Sequence, residues 1–174
     1  MFNDTSNLTV TNCTFSGNSA KSNGGGMFNE ASNPTISNCI FWNDILDEIF
    51  NSGIIPKVTY TDIQGGYGGT GNINIDPCFV FANAGNLRLK PDSPCIDAGD
   101  TKVVPLGIFV DADGKPRGVD DPQTPNTGIG LFGVTVDMGA YEFQLCRIDG
   151  DINCDGVVDF KDLAILANHW LEGL

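Results

Sequence analysis

The sequence predicts a mainly β protein: a parallel β-helix, then a β-rich closing segment, then a small C-terminal calcium loop followed by one helix. The stretch that opens the chain at Met1 recurs without a gap from Met27. The 174 residues include 22 Gly and 9 Pro, which punctuate the first 145 positions too often for a helix of ordinary length. The 22 acidic residues are 18 Asp and only 4 Glu, a bias toward turns and hard-cation ligands and away from helix surfaces.

Residues 1–71 are read as the rungs of the β-helix. Met1 to Asn18 (MFNDTSNLTVTNCTFSGN) overlays Met27 to Asp44 (MFNEASNPTISNCIFWND) with identity at 9 of 18 positions. Apolar residues alternate at Leu8 and Val10, then change parity at Asn12 so that Cys13 and Phe15 follow. Two short strands joined by a sharp bend produce that switch. Repeats of about 20 to 50 residues built from short bent strands indicate a solenoid, and the lack of helix narrows it to a parallel β-helix. Rungs stacked ~4.8 Å apart would set Asn12 on Asn38, Cys13 on Cys39 and Phe15 on Phe41. A looser third copy, Val58 to Gly66, puts Tyr60, Asp62 and Ile63 where Ile36, Asn38 and Cys39 stand. Because Met1 aligns with Met27, which follows Gly24-Gly25-Gly26 inside the second copy, further rungs and any export signal are expected upstream.

Residues 72–145 change to single apolar alternations broken by proline turns, the pattern of a β-rich closing segment. In order they carry Asp76-Pro77-Cys78-Phe79, Ser93-Pro94-Cys95-Ile96-Asp97-Ala98-Gly99, Asp113-Gly114-Lys115-Pro116-Arg117 and Val136-Asp137-Met138-Gly139-Ala140-Tyr141-Glu142. This order resembles the end of the choice-of-anchor Q type proteins, over roughly residues 1 to 143. The resemblance implies a right-handed parallel β-helix of the pectate-lyase-like class in a secreted or cell-surface bacterial protein, and it transfers no catalytic residue. The Asp-x-Asp-Gly of Asp111 to Gly114 is read as a turn, because Val119 and Pro122 fall where later calcium ligands would have to be.

Residues 146–174 hold the strongest chemical signal. From Asp151 to Asp162, side-chain oxygens stand at loop positions 1, 3, 5, 9 and 12 (Asp151, Asn153, Asp155, Asp159, Asp162), with Gly156 at position 6 and the Val157 carbonyl at position 7. Calcium takes six to eight hard oxygens, and a glycine at the sixth position permits the sharp turn that lets them converge. The plainer reading is an acidic turn in which Asp159 or Asp162 caps the following helix. Phe160, Leu163, Ala164, Ala167, Trp170 and Leu171 form an apolar stripe at helical spacing, which is expected to be covered. A calcium loop with only its exit helix, GDINCDGVVDFKDLAILANHWL, closely resembles the dockerin type I repeat. That resemblance implies a cohesin-like protein partner, with Phe160 and Lys161 at the positions that help choose it. Dockerins carry two such repeats and this sequence holds one, so two alternatives stay open: a second repeat encoded beyond Leu174, or a lone repeat clasping the preceding domain.

Cys146 with Cys154 and Cys78 with Cys95 are candidate disulfide pairs, while Cys13 and Cys39 are read as reduced core residues. No Cys-x-x-Cys spacing occurs and His169 is the single histidine, which leaves no zinc set. The net charge of -13 opposes nucleic-acid binding, and no stretch approaches the roughly 18 apolar residues of a membrane span. Asp44, Asp47, Glu48 and Asp62 are the acidic candidates for a glycosidase pair, but spacing alone does not pair them, and Arg88 is read as structural. The expected role is therefore non-catalytic: an extracellular or cell-surface module that binds calcium and anchors to a cohesin-like protein, with a polysaccharide as the other expected partner. The alternatives are the tail of a polysaccharide lyase or glycoside hydrolase of the β-helix class, and calcium as a purely structural stabiliser.

Overall fold

Strands of only two to four residues dominate this chain because a residue in the left-handed backbone region interrupts it every few positions. The computed structural model describes residues 1–144, 150, 152 and 158–171. It divides into two units, Met1–Phe143 and Gln144–Leu174. The protein is mainly β, with one α-helix among the described residues, α1 (Phe160–Leu171), too short to cross a membrane.

In the first unit, β1 (Phe2–Asp4), β2 (Thr9–Thr11) and β3 (Thr14–Ser16) are followed by β4 (Met27–Glu30), β5 (Thr35–Ser37) and β6 (Ile40–Trp42), then by β7 (Ile49–Ser52), β8 (Lys57–Thr59) and β9 (Asp62–Ile63). They form three parallel sheets ordered β1-β4-β7, β2-β5-β8 and β3-β6-β9, so the chain visits the same three sheets in the same order three times. Phe2 pairs with Phe28, Val10 with Ile36 and Phe15 with Phe41, each at the offset at which the sequence repeats. The next step is shorter: Phe28 pairs with Phe50, Ile36 with Val58 and Phe41 with Ile63.

That shorter step corrects the expected third copy. Val58, and not Tyr60, stands beside Ile36, and Asp62 stands beside Ile40. A two-residue slip preserves the inside-outside alternation, so apolar pattern alone does not detect it. The bend identifies the true register. Asn12 and Asn38 both have φ 52°, and Tyr60, with φ 48°, occupies the same place in the third copy. Asparagine tolerates this conformation, whereas an aromatic residue adopts it at a cost.

Parity reverses at the bend, so Val10, Ile36 and Val58 point into the same interior as Cys39, Phe41 and Ile63, together with Met27. Phe15 and Phe41 stack at 4.4 Å with an interplanar angle of 4°. A row of amides runs alongside: Asn3 Nδ2 donates to Asn29 Oδ1, Asn29 Nδ2 to Asn51 Oδ1, and Asn51 Nδ2 to the Tyr67 hydroxyl. At its start the Ser6 hydroxyl donates to Asn3 Oδ1.

The opposite face of β6 is covered as well. Ile40 is buried with Phe79, Leu89, Cys95, Ile96, Ala98 and Met138 of the following segment, where β10 (Phe79–Phe81) and β11 (Asn86–Leu89) form an antiparallel pair. Asn38 pins this segment: its Nδ2 donates to the Asp100 carbonyl at 2.9 Å, its Oδ1 accepts from the Asp100 N–H at 2.7 Å, and its own carbonyl accepts from Gly139 N–H. Gly139 permits the approach, since a Cβ there would lie 2.8 Å from both Ile40 Cδ1 and Thr14 Oγ1.

With Phe41 fully buried, Phe41→Ala is expected to lower the unfolding free energy by about 3–5 kcal/mol. Leu106→Ser, at an exposed position, should stay within about 0.5 kcal/mol of the parent. Urea denaturation followed by circular dichroism measures both.

Candidate functional site

The start of α1 is built by two of the expected calcium ligands. The Asp159 carboxylate accepts from Lys161 N–H at 2.7 Å, while Asp162 Oδ2 reaches back to accept from Asp159 N–H at 2.8 Å. This reciprocal arrangement satisfies N–H groups that a helix start otherwise leaves unbonded. The capping reading of these residues is thus realised. Asp162 Oδ1 also accepts from Ile152 N–H at 2.8 Å, so the buried carboxylate ties the second loop position to the twelfth. Asp151, Asn153, Asp155 and Val157 lie outside the described residues, as do Cys146 and Cys154. Within its own unit the apolar stripe is exposed at Phe160, Leu163, Ala164 and Ala167, while the side chains of Trp170 and Leu171 lie outside the described residues. Phe160 and Lys161 are both presented to solvent, and Lys161 Nζ lies 3.8 Å from the Asp159 carboxylate.

Of the acidic candidates in the first unit, the fold brings two together. Asp44 Oδ1 accepts from the Asn18 main-chain N–H at 2.7 Å and from Asn18 Nδ2 at 2.8 Å, and Glu48 Oε1 accepts from Asp44 N–H at 3.2 Å. Both side chains are more than nine-tenths buried, and the Glu48 carboxyl is hydrogen-bonded to that of Asp44. Burial, reinforced by the adjoining Asp44 carboxyl, lifts Glu48 to about 8. Gly26 makes room for the pair: a Cβ on it would sit 2.5 Å from Asp44 Oδ2 and 2.6 Å from the Glu48 carbonyl oxygen. Asp44 and Glu48 line an open cavity of about 480 Å³ together with Asp47, Gln64, Gly66 and Tyr67. They adjoin one another, where a glycosidase needs a gap of about 5 Å or more to admit the sugar. Asp62 is elsewhere, accepting from the Cys95 thiol at 3.3 Å and from Ile75 N–H at 3.2 Å.

A second carboxylate group holds the closing segment together. Asp97 N–H donates to Asp137 Oδ1 at 2.8 Å, Asp121 N–H to Asp97 Oδ2 at 3.1 Å and Phe143 N–H to Asp137 Oδ2 at 2.5 Å. Glu142 accepts from Val119 N–H and Asp137 N–H, and its own N–H donates to Asp111 Oδ2. These side chains give buried loop N–H groups the acceptors that a sheet would otherwise supply. Arg117 Nη1, buried with them, is 3.7 Å from Glu142 Oε2. Burial raises Asp97 and Asp62 to about 6 and Glu142 to about 7, and it pushes Asp137 well up. The sequence motifs containing Asp97, Asp137 and Glu142 are visible, but no local spacing reveals that they meet.

Asp111 closes the expected turn, with its Oδ1 accepting from both Asp113 and Lys115 N–H at 2.9 Å. Arg88 is structural, its guanidinium forked onto Asp113 and placed 5.1 Å above the Tyr141 ring. The cysteine reading is corrected in part: Cys78 and Cys95 are both free. The Cys95 thiol is directed to Asp62, and the Cys78 thiol is hydrogen-bonded to the Asp76 carbonyl within its own turn. Cys13 and Cys39 are free as read, and the neighbouring Cys39 thiol, helped by Arg117, lowers Cys13 to about 7. Among the described residues no three His, Cys, Asp or Glu side chains converge as metal ligands.

Comparison with protein-family models, curated proteins and solved structures finds no match to this chain.

Asp62, Asp97 and Glu142 hold protons more tightly when folded than the unfolded carboxyls, which titrate near 4. Their contribution to stability is complete below that value and is lost as pH rises through about 6 to 7. The thermal midpoint should therefore fall between pH 5 and pH 8, and fall less steeply in Glu142→Gln. Equal slopes in the two proteins would place Glu142 outside this effect.

Proposed function

We propose that the three parallel sheets are the faces of a right-handed parallel β-helix of the choice-of-anchor Q kind, with residues 72–145 as its closing segment and residues 146–174 as a dockerin-type calcium repeat. The in-register pairing of Phe15 with Phe41 and of Phe41 with Ile63, carried across all three copies, supports the first part. The chain then serves as a non-catalytic anchoring module of a secreted or cell-surface bacterial protein, in a polysaccharide-related setting, with a cohesin-like protein as partner.

The observation that carries the calcium reading is the buried Asp162 carboxylate joined to the N–H of Ile152. It draws the two ends of the 12-residue loop together, as a site with ligands at positions 1 and 12 requires. In this reading Asp151, Asn153, Asp155, Asp159 and Asp162 supply side-chain oxygens and Val157 its carbonyl. Calcium neutralises carboxylates that would otherwise repel one another. The exposed Phe160, Lys161, Leu163 and Leu166 offer a partner an apolar helix face bearing one cation.

Calorimetric calcium titration of the parent and of the Asp151→Ala, Asp155→Ala double variant tests the loop. The variant is expected to lose one equivalent of calcium and the thermal stabilisation that goes with it, about 2.7 kcal/mol at a hundredfold excess over Kd. Capture by immobilised cohesin domains in calcium, and its loss in chelator, is the second expected result. A calcium site without capture would make the ion a stabiliser of the terminus, and no difference between parent and variant would remove the loop as a calcium site.

A further inference from the structure

We propose that Cys13 and Cys39 are a redox-active thiol pair that reduces a small organic disulfide and is left joined by a disulfide between the first and second copies. The site is independent of the loop of residues 151–162.

Each cysteine follows the left-handed bend residue of its copy, Asn12 or Asn38, both at φ 52°. Thr14 pairs with Ile40 and Phe15 with Phe41, and the Cys13 carbonyl accepts from Ile40 N–H at 2.9 Å, so Cys13 stands directly over Cys39. Both are free and share one apolar interior. The Cys39 thiol leans back toward the first copy, with its Sγ 3.7 Å from the Val10 carbonyl oxygen, and it hydrogen-bonds the Cys13 sulfur. In the third copy Thr61 takes this place, its Oγ1 accepting from Cys39 N–H, so the row of thiols stops at two. Adjacent strands lie about 4.8 Å apart, inside the span of about 4.4 to 6.8 Å that a disulfide bridges between Cα atoms. A relaxed bridge holds its Cβ atoms closer, about 3.8 Å apart, so this one forms under strain, and strained bridges are the readily reduced ones.

The two sulfurs differ in access. Cys13 lines an open cavity of about 730 Å³ whose walls include Val10, Phe15, Ile108 and Arg117, whereas Cys39 is fully buried. The hydrogen bond from Cys39 and the nearby Arg117 charge outweigh burial and bring Cys13 down to about 7, while burial pushes Cys39 well up. A thiol that titrates near ambient pH attacks disulfides best. Cys13 is therefore the nucleophile and Cys39 the resolving thiol. The Cys13 thiolate bonds to one sulfur of the reagent, whose own sulfur-sulfur bond breaks and releases the other half as a thiolate. The Cys39 thiol then gives its proton to that thiolate and attacks Cys13 Sγ, which expels the second half. That half takes back from solvent the proton Cys13 had released. Two electrons pass to the reagent, which ends as two thiols, and no atom of it stays on the protein.

The neutral reagent dithiodipyridine tests the pair on the full chain, since the net charge of -13 repels anionic reagents. Trypsin cuts after Lys21 and Lys57, which puts Cys13 in residues 1–21 and Cys39 in residues 22–57, so mass spectrometry reads each sulfur separately. In the folded parent these two peptides are expected to become linked, and to come apart again with a dithiol reductant. In Cys39→Ser the thiopyridyl half should stay on Cys13, and in Cys13→Ser the sulfur of Cys39 should stay unmodified. Should either variant fail to fold, the parent supplies a second measurement. Iodoacetamide capture of Cys13 should be half-maximal near pH 7 in the folded chain, and in urea near the ordinary thiol value of about 8.5. A stable thiopyridyl adduct on Cys13 in the parent, an unreactive Cys13, linkage that appears only in urea, or the same half-point in both states overturns the proposal.

Discussion

A single residue in the left-handed backbone region, once per repeat, governs what this chain can bury. At Asn12, Asn38 and Tyr60 the backbone turns through φ near +50°, and the strand after the turn resumes with opposite parity. Only that reversal lets residues on both sides of the corner point into one interior, so that Val10, Ile36 and Val58 meet Cys39, Phe41 and Ile63. Asn38 adds a second duty. Its side-chain amide clasps both polar main-chain groups of Asp100, and its carbonyl receives Gly139, so the residue that shapes the corner also fixes the segment lying over it. The middle sheet strand β6 is thereby buried on both faces, with Phe41 on one and Ile40 on the other.

The closing segment solves a different problem. It has few strands, so its main-chain N–H groups lack neighbouring carbonyls, and buried Asp and Glu side chains accept from them instead. A protein with a net charge of -13 therefore keeps a share of its carboxyls out of solvent. Their placement raises proton affinity through burial, which makes the interior a reservoir of held protons at moderate pH. Arg117 is the buried guanidinium that tempers this concentration of acid at Glu142.

What can be read in advance follows the range of the interactions. The parity change around Asn12 and Cys13 is encoded within a few neighbouring positions, and the Phe15 to Phe41 pairing is encoded by near-identity of the copies, so both are legible. The third copy is misplaced by two because Val58 and Tyr60 satisfy the same alternation, and the aromatic at the bend gives no sign of its backbone conformation. Asp44 and Glu48 are recognisable as acidic candidates, but their meeting depends on Gly26 and on Asn18 from the preceding copy. Cys95 invites a match to Cys78 by nearness in sequence, whereas its partner, Asp62, lies further back in a different element. The capping of α1 by Asp159 and Asp162 is legible because its spacing is local.

The row of asparagine amides from Asn3 through Asn29 to Asn51 is directional, each side chain giving a hydrogen to the next and receiving one from the last. Every member therefore presents the same two faces to its neighbours. Tyr67 stands apart, since its hydroxyl takes the final hydrogen without extending the row. A repeat added to the middle of the row would find a donor on one side and an acceptor on the other, and the single Tyr67 hydroxyl would still end the series.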